Sequence, residues 1–459
     1  MRPALALVMA VACIAGQRAV EPDLFSSYSV IELTLKAPLS DLFATDEDDN
    51  ASVTGALSFR GANGREVTLD NVTVSERGHT SKQANQCRFP KLKLRLERSD
   101  ARADSIFRNM DIVKIGTHCG ESPDGALTKK FGRLANEHAA HREAFVYRLL
   151  DTLGVPSLRA RPARVTYQDT SAGAETGAIT RDAMILEDDR DALKRLSGSR
   201  LIQMGQFRSA KQDIATADAV NLAFAEALIG NFDWCLKFAP NDRYRCDARR
   251  PLWNLLAVAR KDGTVVPVMY DFDISGMVTG RHVWFSAIFN AGFVERRSEP
   301  NVEVDAQLQR TRSLFSRADL DAARRRFATK KAAAHGALEE AAVDESGKQQ
   351  IARYLDPFFA AMERDEAFYL PVVVRENTRA FTNPAATQPA CAEDGSLPVG
   401  TPVSAKPLAR HGSMLQVVVL DALWHFTERA KCSTILKSPV WINGNAISAD
   451  YPPAPPATR

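Results

Sequence analysis

The chain has 459 residues, long enough to bury a large core, and this length favours two lobes with an accessory piece. Its 59 basic and 56 acidic residues give a net charge of +3. A balance this close to neutral excludes the strong basic bias that drives general binding to nucleic acid, so we expect no nucleic-acid partner.

The first residues predict export. Arg2 is followed by an apolar run over 4–15 that ends in small residues, which is typical of a secretory signal peptide over 1–16. The run is too short to stay as a membrane-spanning helix, and no later stretch reaches that length. We therefore expect an exported protein, periplasmic or extracellular, without a transmembrane span. Lipoprotein processing at Cys13 is an alternative.

The cysteines fit an exported chain. Removal of the signal peptide, which contains Cys13, leaves six of the seven cysteines. An even number indicates disulfides, although six cysteines allow fifteen pairings. No Cys or His spacing is typical of a zinc site. Proximity in sequence favours three pairs, which are Cys87 with Cys119, Cys235 with Cys246, and Cys391 with Cys432.

Residues 24–190 are predicted to be rich in strands, because apolar residues alternate over several short segments. The most informative segment covers 91–96, where three leucines alternate with Lys91, Lys93 and Arg95. Such a strand buries its leucines and presents the three cations on its other face. That face can be a solvated surface, or it can hold an anionic ligand.

A helix is predicted over 136–153, ending before Gly154. It carries Glu137 near its start and Glu143 closer to its middle. A carboxylate at a helix start is favoured by the helix dipole alone, so Glu143 is the better candidate for a charged partner of a strand lysine.

Two further strands lead to Glu187, after which a polar segment begins. A second helix is predicted over 214–229, with Gly230 as its stop signal. Asp233 then lies on a loop directly after a buried helix. Loops held by rigid elements are where catalytic groups are usually placed.

A β-hairpin is predicted after this loop. Apolar, β-prone runs over 252–259 and 264–270 flank Asp262 and Gly263, a favoured pair for a two-residue turn.

This hairpin register places Asn254 opposite Asp271, with Asp273 on the same face two residues later. Oxygen-bearing side chains would then converge at one end of the hairpin, which suits a hard cation such as Mg²⁺. The order Asp233, Asn254 and Asp271 is the order in which protein-kinase-like sites present their catalytic base and metal ligands. The alternative is that these residues only cap turns, where Asn and Asp are common.

The chain resembles the CotH-like (spore coat protein H-like) atypical kinases, which belong to the wider protein-kinase-like group. The resemblance covers 28–300 and departs from the family pattern in two ways: no basic residue directly follows Asp233, and 235–250 reads as an insertion. It is carried by five short motifs, which are Arg77-Gly78-His79-Thr80-Ser81, the strand from Phe89 to Leu96, Leu186-Glu187, Asn231-Phe232-Asp233-Trp234 and Tyr270-Asp271-Phe272-Asp273.

This resemblance implies an α+β, two-lobed protein-kinase-like fold with a strand-rich N-lobe over 24–190 and a helical C-lobe over 191–375 that contains the catalytic hairpin. It also implies transfer of a phosphoryl group from ATP, or another nucleotide, to a hydroxyl on a protein or envelope substrate with the help of Mg²⁺.

The implied roles are as follows. Asp233 orients or deprotonates the acceptor hydroxyl, while Asn254 and Asp271, helped by Asp273, hold the metal. The nucleotide side of the site is assigned to Lys91 or Lys93 for the phosphates, Arg77 of the Arg-Gly loop, Glu143 as the partner of the lysine, and Glu187 at the strand end.

The end of the chain is predicted to be an appendage. Residues 376–410 are rich in Pro, Thr, Ala and Gly and are predicted to be a linker. Short β-prone runs over 411–450 predict a small β module, whose end resembles a bacterial SH3-like repeat and which could bind an envelope ligand. The tail over 451–459 is Pro-rich and expected to be disordered.

A second hypothesis comes from a different class of function. The chain lacks a Gly-rich phosphate loop of the ordinary kinase or Walker type. Together with the insertion over 235–250, this allows a catalytically silent envelope scaffold with a kinase-like fold. Binding of Mg·ATP distinguishes the two hypotheses.

Overall fold

The computed structural model describes residues 23–44, 51–61, 64–78, 89–116, 139–174, 177–209, 213–237, 251–282, 296–297, 300–312, 314–364, 368, 373–374, 376–390, 396–397, 403, 407–419 and 438–448. The predicted signal peptide, the tail, residues 79–81 of the Arg-Gly motif, Glu137 and every cysteine except Cys235 lie outside them. Within these ranges, no helix is long and apolar enough to cross a membrane.

The first part of the chain is a closed seven-stranded barrel with strand order β1-β2-β3-β4-β5-β7-β6. Neighbouring strands are antiparallel except β1 and β6, which are parallel. Alternate side chains fill the barrel with an apolar core of its own. The strands are β1 Ile31–Ala37, β2 Ser52–Arg60, β3 Glu66–Glu76, β4 Leu92–Arg95, β5 Ile112–Gly116, β6 Ala160–Asp169 and β7 Ala178–Leu186.

Three helices accompany the barrel, α1 Leu39–Phe43, α2 Asp100–Ala103 and α3 Ala139–Leu153. The helix α3 packs across β6 and β7 and joins the second core of the molecule, which confirms the predicted helix over its described part. It ends at Gly154, whose φ of 68° is the left-handed value that a helix stop requires.

A second group of elements follows the barrel. The strands β8, β11 and β12 form a sheet in the order β12-β11-β8, and β9 pairs with β10. The bounds are α4 Asp189–Arg195, β8 Gly198–Ile202, α5 Met204–Ser209, α6 Thr216–Leu228, β9 Cys235–Leu236, β10 Leu252–Trp253, β11 Leu255–Arg260 and β12 Val265–Met269.

The hairpin between β11 and β12 exists, but the predicted two-residue turn is wrong. Leu255 faces Met269, and the Arg260 N–H donates to the Thr264 carbonyl at 2.8 Å, which leaves a three-residue loop. Gly263, with φ of 88°, takes the left-handed position that such loops require. The sequence signal was therefore that of a three-residue turn.

The extra residue in the loop shifts the strand register by one and changes the relative positions of the predicted metal ligands. The backbone carbonyl of Asn254 accepts a hydrogen bond from the Tyr270 N–H at 3.4 Å. Asn254 therefore lies opposite Tyr270 and not opposite Asp271. Both Asn254 (φ 51°) and Asp271 (φ 66°) are left-handed, a conformation that Asn and Asp tolerate better than most residues. The predicted common strand face is wrong, and two left-handed residues set the placement of these side chains instead.

Helices complete this part of the molecule around α6, whose Phe224 ring contacts Phe327, Phe358 and Phe368 at centroid distances of 5.6, 6.4 and 5.6 Å. Within the predicted helical region over 191–375, separate helices are divided by side-chain caps such as Ser316. The elements are α7 Gly276–Thr279, β13 Arg281–His282, β14 Arg296–Arg297, α8 Pro300–Arg312, α9 Arg317–Ala328, α10 Lys331–Glu339 and α11 Glu345–Glu363.

A small β module follows, with a third apolar core. The structure differs here from the predicted linker over 376–410, because Ala380, Ala390, Leu397 and Val403 belong to this same core. Apolar residues spaced among the Pro and Gly thus bind the segment to the module. The strands are β15 Val373–Val374, β16 Thr378–Arg379, β17 Ser396–Leu397, β18 Ala409–His411, β19 Met414–Val417, β20 Val440–Asn443 and β21 Ile447–Ser448.

Candidate active site

A lysine of the barrel contacts two aspartates of the second part of the molecule. Lys91 lies directly before β4, and its Nζ donates to Asp271 Oδ1 at 3.1 Å and to Asp273 Oδ2 at 3.0 Å. The neighbouring Leu92 and Leu94 point into the barrel and are fully buried, so Lys91 projects from its outer face. The alternation read from the sequence thus delivers the ammonium group to the acidic pair.

Lys93 is the other lysine predicted for this role. It is half-buried on β4, and within the described residues its side chain makes no hydrogen bond or ion pair. Of these two lysines, Lys91 is the one whose side chain contacts the aspartates within the described residues. Arg77, whose N–H donates to the Lys91 carbonyl at 2.8 Å, brings a second cation to the same region.

Helix α3 holds the backbone of the acidic segment. Glu143 Oε1 accepts a hydrogen bond from the Phe272 N–H at 3.3 Å, and Tyr147 Oη accepts one from the Asp271 N–H at 3.0 Å. The two side chains are four residues apart and share one helix face. Glu143 was predicted as the partner of the lysine, whereas its hydrogen bond goes to Phe272 and its effect on Lys91 is electrostatic.

The loop that carries Asp233 is fixed by buried polar contacts. Asn231 Oδ1 accepts from the Asp233 N–H at 3.0 Å, and Asn231 Nδ2 donates to Glu226 Oε2 of α6 at 2.8 Å. Gln307 of α8 donates to the Asn231 carbonyl at 2.6 Å. Asn231, singled out only as a motif residue, is the anchor that positions Asp233.

Two residues at the end of β10 complete the site. Trp253 Nε1 donates to Asp233 Oδ1 at 2.7 Å, and Asn254 Nδ2 donates to the Asp233 carbonyl at 2.8 Å. The β9–β10 ladder pairs Trp253 with Cys235 and so brings these residues beside the loop. Sequence reasoning missed Trp253, although a tryptophan directly before a candidate metal ligand was a usable signal.

The site brings together four carboxyl groups, those of Glu143, Asp233, Asp271 and Asp273, and the cations Lys91 and Arg77. Burial and the charge of Asp271 raise the pKa of Asp233 to about 7, while the Trp253 N–H opposes that rise. Burial likewise raises the pKa of Glu143 to about 8, against the effect of Lys91.

The aspartates that contact Lys91 behave differently from each other. Lys91 overcomes the effect of burial and lowers the pKa of Asp271, whereas burial dominates at Asp273 and raises its pKa. The pKa of Lys91 is raised, since Asp271, Asp273 and Glu143 outweigh the burial of the ammonium group. The ammonium group therefore stays charged, and the site as a whole can accept a further cation.

The donor set fits magnesium bound together with a phosphate better than a metal cage. Among the described residues, no group of three or more His, Cys, Asp or Glu side chains is arranged to hold a metal. Magnesium commonly takes one or two carboxylates, with phosphate and water oxygens filling its other positions. Asp271 and Asp273, with side chains 37% and 32% exposed, fit that pattern, and Asn254 is the third candidate ligand.

Glu187 has a different set of contacts. It is buried, and its carboxylate accepts from Arg195 Nε at 2.9 Å, Arg195 Nη2 at 2.7 Å and the Arg159 N–H at 3.0 Å. These contacts fix the turn between β7 and α4. These contacts do not test the predicted position of Glu187 beside a nucleotide, which stays a prediction.

Cys235 directly follows the Asp233 loop and is disulfide-bonded. Its partner sulfur lies outside the described residues, so the pairing with Cys246 stays a prediction.

The raised pKa of Glu143 gives a testable pH dependence. The folded state keeps the proton up to about pH 8, while the unfolded state releases it near the ordinary value of 4.5. The free energy of unfolding should therefore fall as pH rises through this window, by at most about 1.4 kcal/mol per pH unit from this carboxyl. We expect Glu143→Gln to remove that part of the slope in urea unfolding at pH 5–8.

The matched control is Glu339→Gln, which changes an exposed glutamate on α10 and should leave the slope as in wild type. Identical slopes for Glu143→Gln and wild type would show that Glu143 titrates as an ordinary carboxyl.

Comparisons with known proteins do not assign the chain to a family. No family model and no curated protein matches it. Among solved structures, it is similar to the crystal structure of a Helicobacter pylori proinflammatory kinase, CtkA. The TM-score is 0.32 and the identity 9%, over 59% of this chain and 90% of that chain. None of these comparisons supports the CotH-like family specifically, and the functional argument rests on the residues of the site.

Proposed function

We propose that this protein is a kinase-like phosphotransferase that moves a phosphoryl group from ATP, or another nucleotide, to a hydroxyl with the help of Mg²⁺. The observation that carries the proposal is the contact of Lys91 Nζ with both Asp271 and Asp273. In protein kinases, a lysine of the strand-rich lobe and an acidic metal-binding step both act on the phosphates of the nucleotide.

Each side chain near this contact has a defined task in the proposal. Lys91 stays protonated and is available to the phosphate oxygens, while Asp271 and Asp273, with Asn254, would hold Mg²⁺. The metal would supply charge neutralisation for the phosphates. Tyr147 and Glu143 keep the backbone of the acidic segment in place through their hydrogen bonds to Asp271 and Phe272.

Asp233 is the proposed base for the acceptor hydroxyl. Its pKa of about 7 lets it take a proton near neutral pH. The Trp253 N–H fixes one carboxylate oxygen, and the Asn231 and Asn254 contacts fix the backbone on either side of the Asp233 Cα. The carboxylate is thus both oriented and suitably basic.

The wider assignments belong to the same proposal. The barrel would serve as the N-lobe and the helical part as the C-lobe of a two-lobed kinase-like fold. Export, pairing of Cys235 with Cys246, an acceptor on a protein or envelope component and an envelope ligand for the β module complete it. The disulfide-bonded state of Cys235 fits an oxidising compartment.

A thermal-unfolding titration with Mg·ATP tests the proposal. A ligand that binds only the folded state stabilises it, by about 2.7 kcal/mol at a concentration a hundredfold above its dissociation constant. We expect saturable stabilisation of the wild type and its loss in Asp271→Asn, because that variant removes one carboxylate charge from the proposed metal site.

Asp262→Asn is the matched control, since Asp262 is exposed at the opposite end of the same hairpin. It should bind like the wild type. Absence of any stabilisation at millimolar Mg·ATP would overturn the phosphotransferase proposal and favour the catalytically silent scaffold.

A further inference from the structure

A second charged site lies between the end of β4 and helix α4. It is a cavity of about 270 Å³, lined by five cationic and three acidic side chains. None of the residues assigned above to phosphoryl transfer lines it. The cavity is therefore separate from the Lys91 site and needs its own explanation.

The three carboxylates that line the cavity each have a cationic partner. Arg102 Nη2 contacts Asp111 Oδ1 at 2.6 Å, and Lys194 Nζ contacts Asp191 Oδ1 at 3.0 Å. Asp188 is paired with Lys114 of β5 at 3.3 Å. Each of these carboxylates is thus paired with a cation, and Lys114 is shared between Asp188 and Asp189.

Three guanidinium groups remain around the cavity. Arg95, Arg98 and Arg190 are exposed, and across the described segments their side chains make no hydrogen bond or ion pair. They come from two elements that are distant in sequence, the end of β4 and the start of α4. Their convergence leaves a net positive cavity whose donors are available.

The walls of this cavity are held by buried contacts. Arg102 is buried and donates to the carbonyls of Leu96 and Phe107 at 3.2 and 3.4 Å, while the Leu96 N–H donates to the Asp111 carbonyl at 3.0 Å. On the other wall, Lys114 donates to Asp189 at 2.6 Å and so ties β5 to α4. The arginines therefore extend from rigid elements, which lowers the ordering cost of binding a ligand.

The local electrostatics agree with this geometry. The hydrogen bond and charge of Arg102, with the charges of Arg98 and Lys194, lower the pKa of Asp111 although its side chain is 64% exposed. The direction of this shift is the one expected beside a cavity with a net positive charge.

We propose that this cavity, lined by Arg95, Arg98 and Arg190, binds the phosphate group of a small phosphate monoester. Guanidinium groups offer paired N–H donors that match phosphate oxygens in a bidentate way, and several together favour a dianion. The volume of about 270 Å³ leaves room for a small organic part beside the phosphate. The site is independent of nucleotide binding at Lys91.

Isothermal titration of the full chain with O-phosphoserine at pH 8 and 0.15 M NaCl tests this site, with serine as the uncharged-side-chain comparison. We expect saturable binding of phosphoserine with a dissociation constant below about 1 mM, and no binding of serine. The double variant Arg98→Gln, Arg190→Gln should weaken phosphoserine binding by at least about tenfold, because two charge-assisted contacts are lost.

Two control variants distinguish phosphoserine binding in this cavity from binding at other cationic side chains. Arg60→Gln removes an exposed arginine of β2 outside the cavity and should bind phosphoserine like the wild type. Lys91→Met should also retain it, even if nucleotide binding is lost. If Lys91→Met abolishes phosphoserine binding while the double variant keeps it, phosphate binds at the Lys91 site and this proposal is overturned. Absence of saturable binding in the wild type also overturns it.

Discussion

Replacing Asp233 by asparagine should lower the turnover of ATP by about 10²–10⁴-fold, the usual contribution of a positioned general base. Asparagine has nearly the same shape and can still accept the Trp253 N–H, so the loop should keep its conformation. Nucleotide binding should remain, because Asp233 does not contact Lys91 among the described residues. Release of ADP in the presence of Mg²⁺ measures turnover, and the thermal-unfolding titration measures binding.

The pH dependence of the wild type sharpens this test. With a pKa of about 7, Asp233 is mostly protonated below that value and acts as a base only above it. The turnover should therefore rise as pH increases through about 7 and then level off. Asp233→Asn should show a low rate without this rise.

Trp253→Phe is the matched variant, because it keeps the aromatic ring and removes only the N–H that contacts Asp233 at 2.7 Å. That hydrogen bond opposes the rise of the Asp233 pKa, so its loss should move the rise in rate to higher pH by about 1–2 units. If Trp253→Phe shows the same dependence of turnover on pH as the wild type, or if Asp233→Asn keeps full turnover, Asp233 is not the base.

Local sequence patterns predicted the local placement of several side chains correctly. The alternation around Leu92 and Leu94 predicted which face of the strand carries Lys91, and the stop at Gly230 placed Asp233 on a loop after α6. These predictions depend on neighbours within a few residues, where side-chain period and turn chemistry decide the outcome.

The misses have longer-range causes. The hairpin register depended on whether Asp262-Gly263 forms a two- or three-residue loop, and one residue of difference moved Asn254 from Asp271 to Tyr270. Closure of the barrel depends on the parallel pairing of β1 with β6, two strands more than a hundred residues apart. No local pattern contains such a pairing.

The same reason explains why the cavity lined by Arg95, Arg98 and Arg190 was not predicted from the sequence. Arg95 and Arg98 lie at and just after the end of β4, whereas Arg190 belongs to the segment after Glu187 that was predicted only to be polar. Only the pairing of β5 with β7 brings the two segments together, since it places Lys114 opposite Leu186, next to the start of α4. The cavity is thus a property of the barrel topology.

Replacing Lys91 by methionine should lower both the turnover of ATP and the free energy of unfolding. The variant removes the only observed cationic contact of Asp271 and Asp273 within the described residues. Leaving these carboxylates without it should cost about 1–3 kcal/mol in the free energy of unfolding, towards the lower end because both are partly exposed. Turnover should fall by about 10²–10³-fold through loss of a charged donor to the phosphates.

Lys93→Met is the matched control, since it makes the same chemical change two residues away on the same strand face. The Lys93 side chain has no hydrogen bond or ion pair within the described residues, so its loss should change stability and turnover little. Urea unfolding and ADP release measure the two effects. Equal losses in both variants would mean that the general positive charge of β4 matters, whereas a loss confined to Lys91→Met assigns the function to its contact with Asp271 and Asp273. Because that contact joins the barrel to the helical part, the confined loss would also show that phosphoryl transfer depends on how these two parts meet.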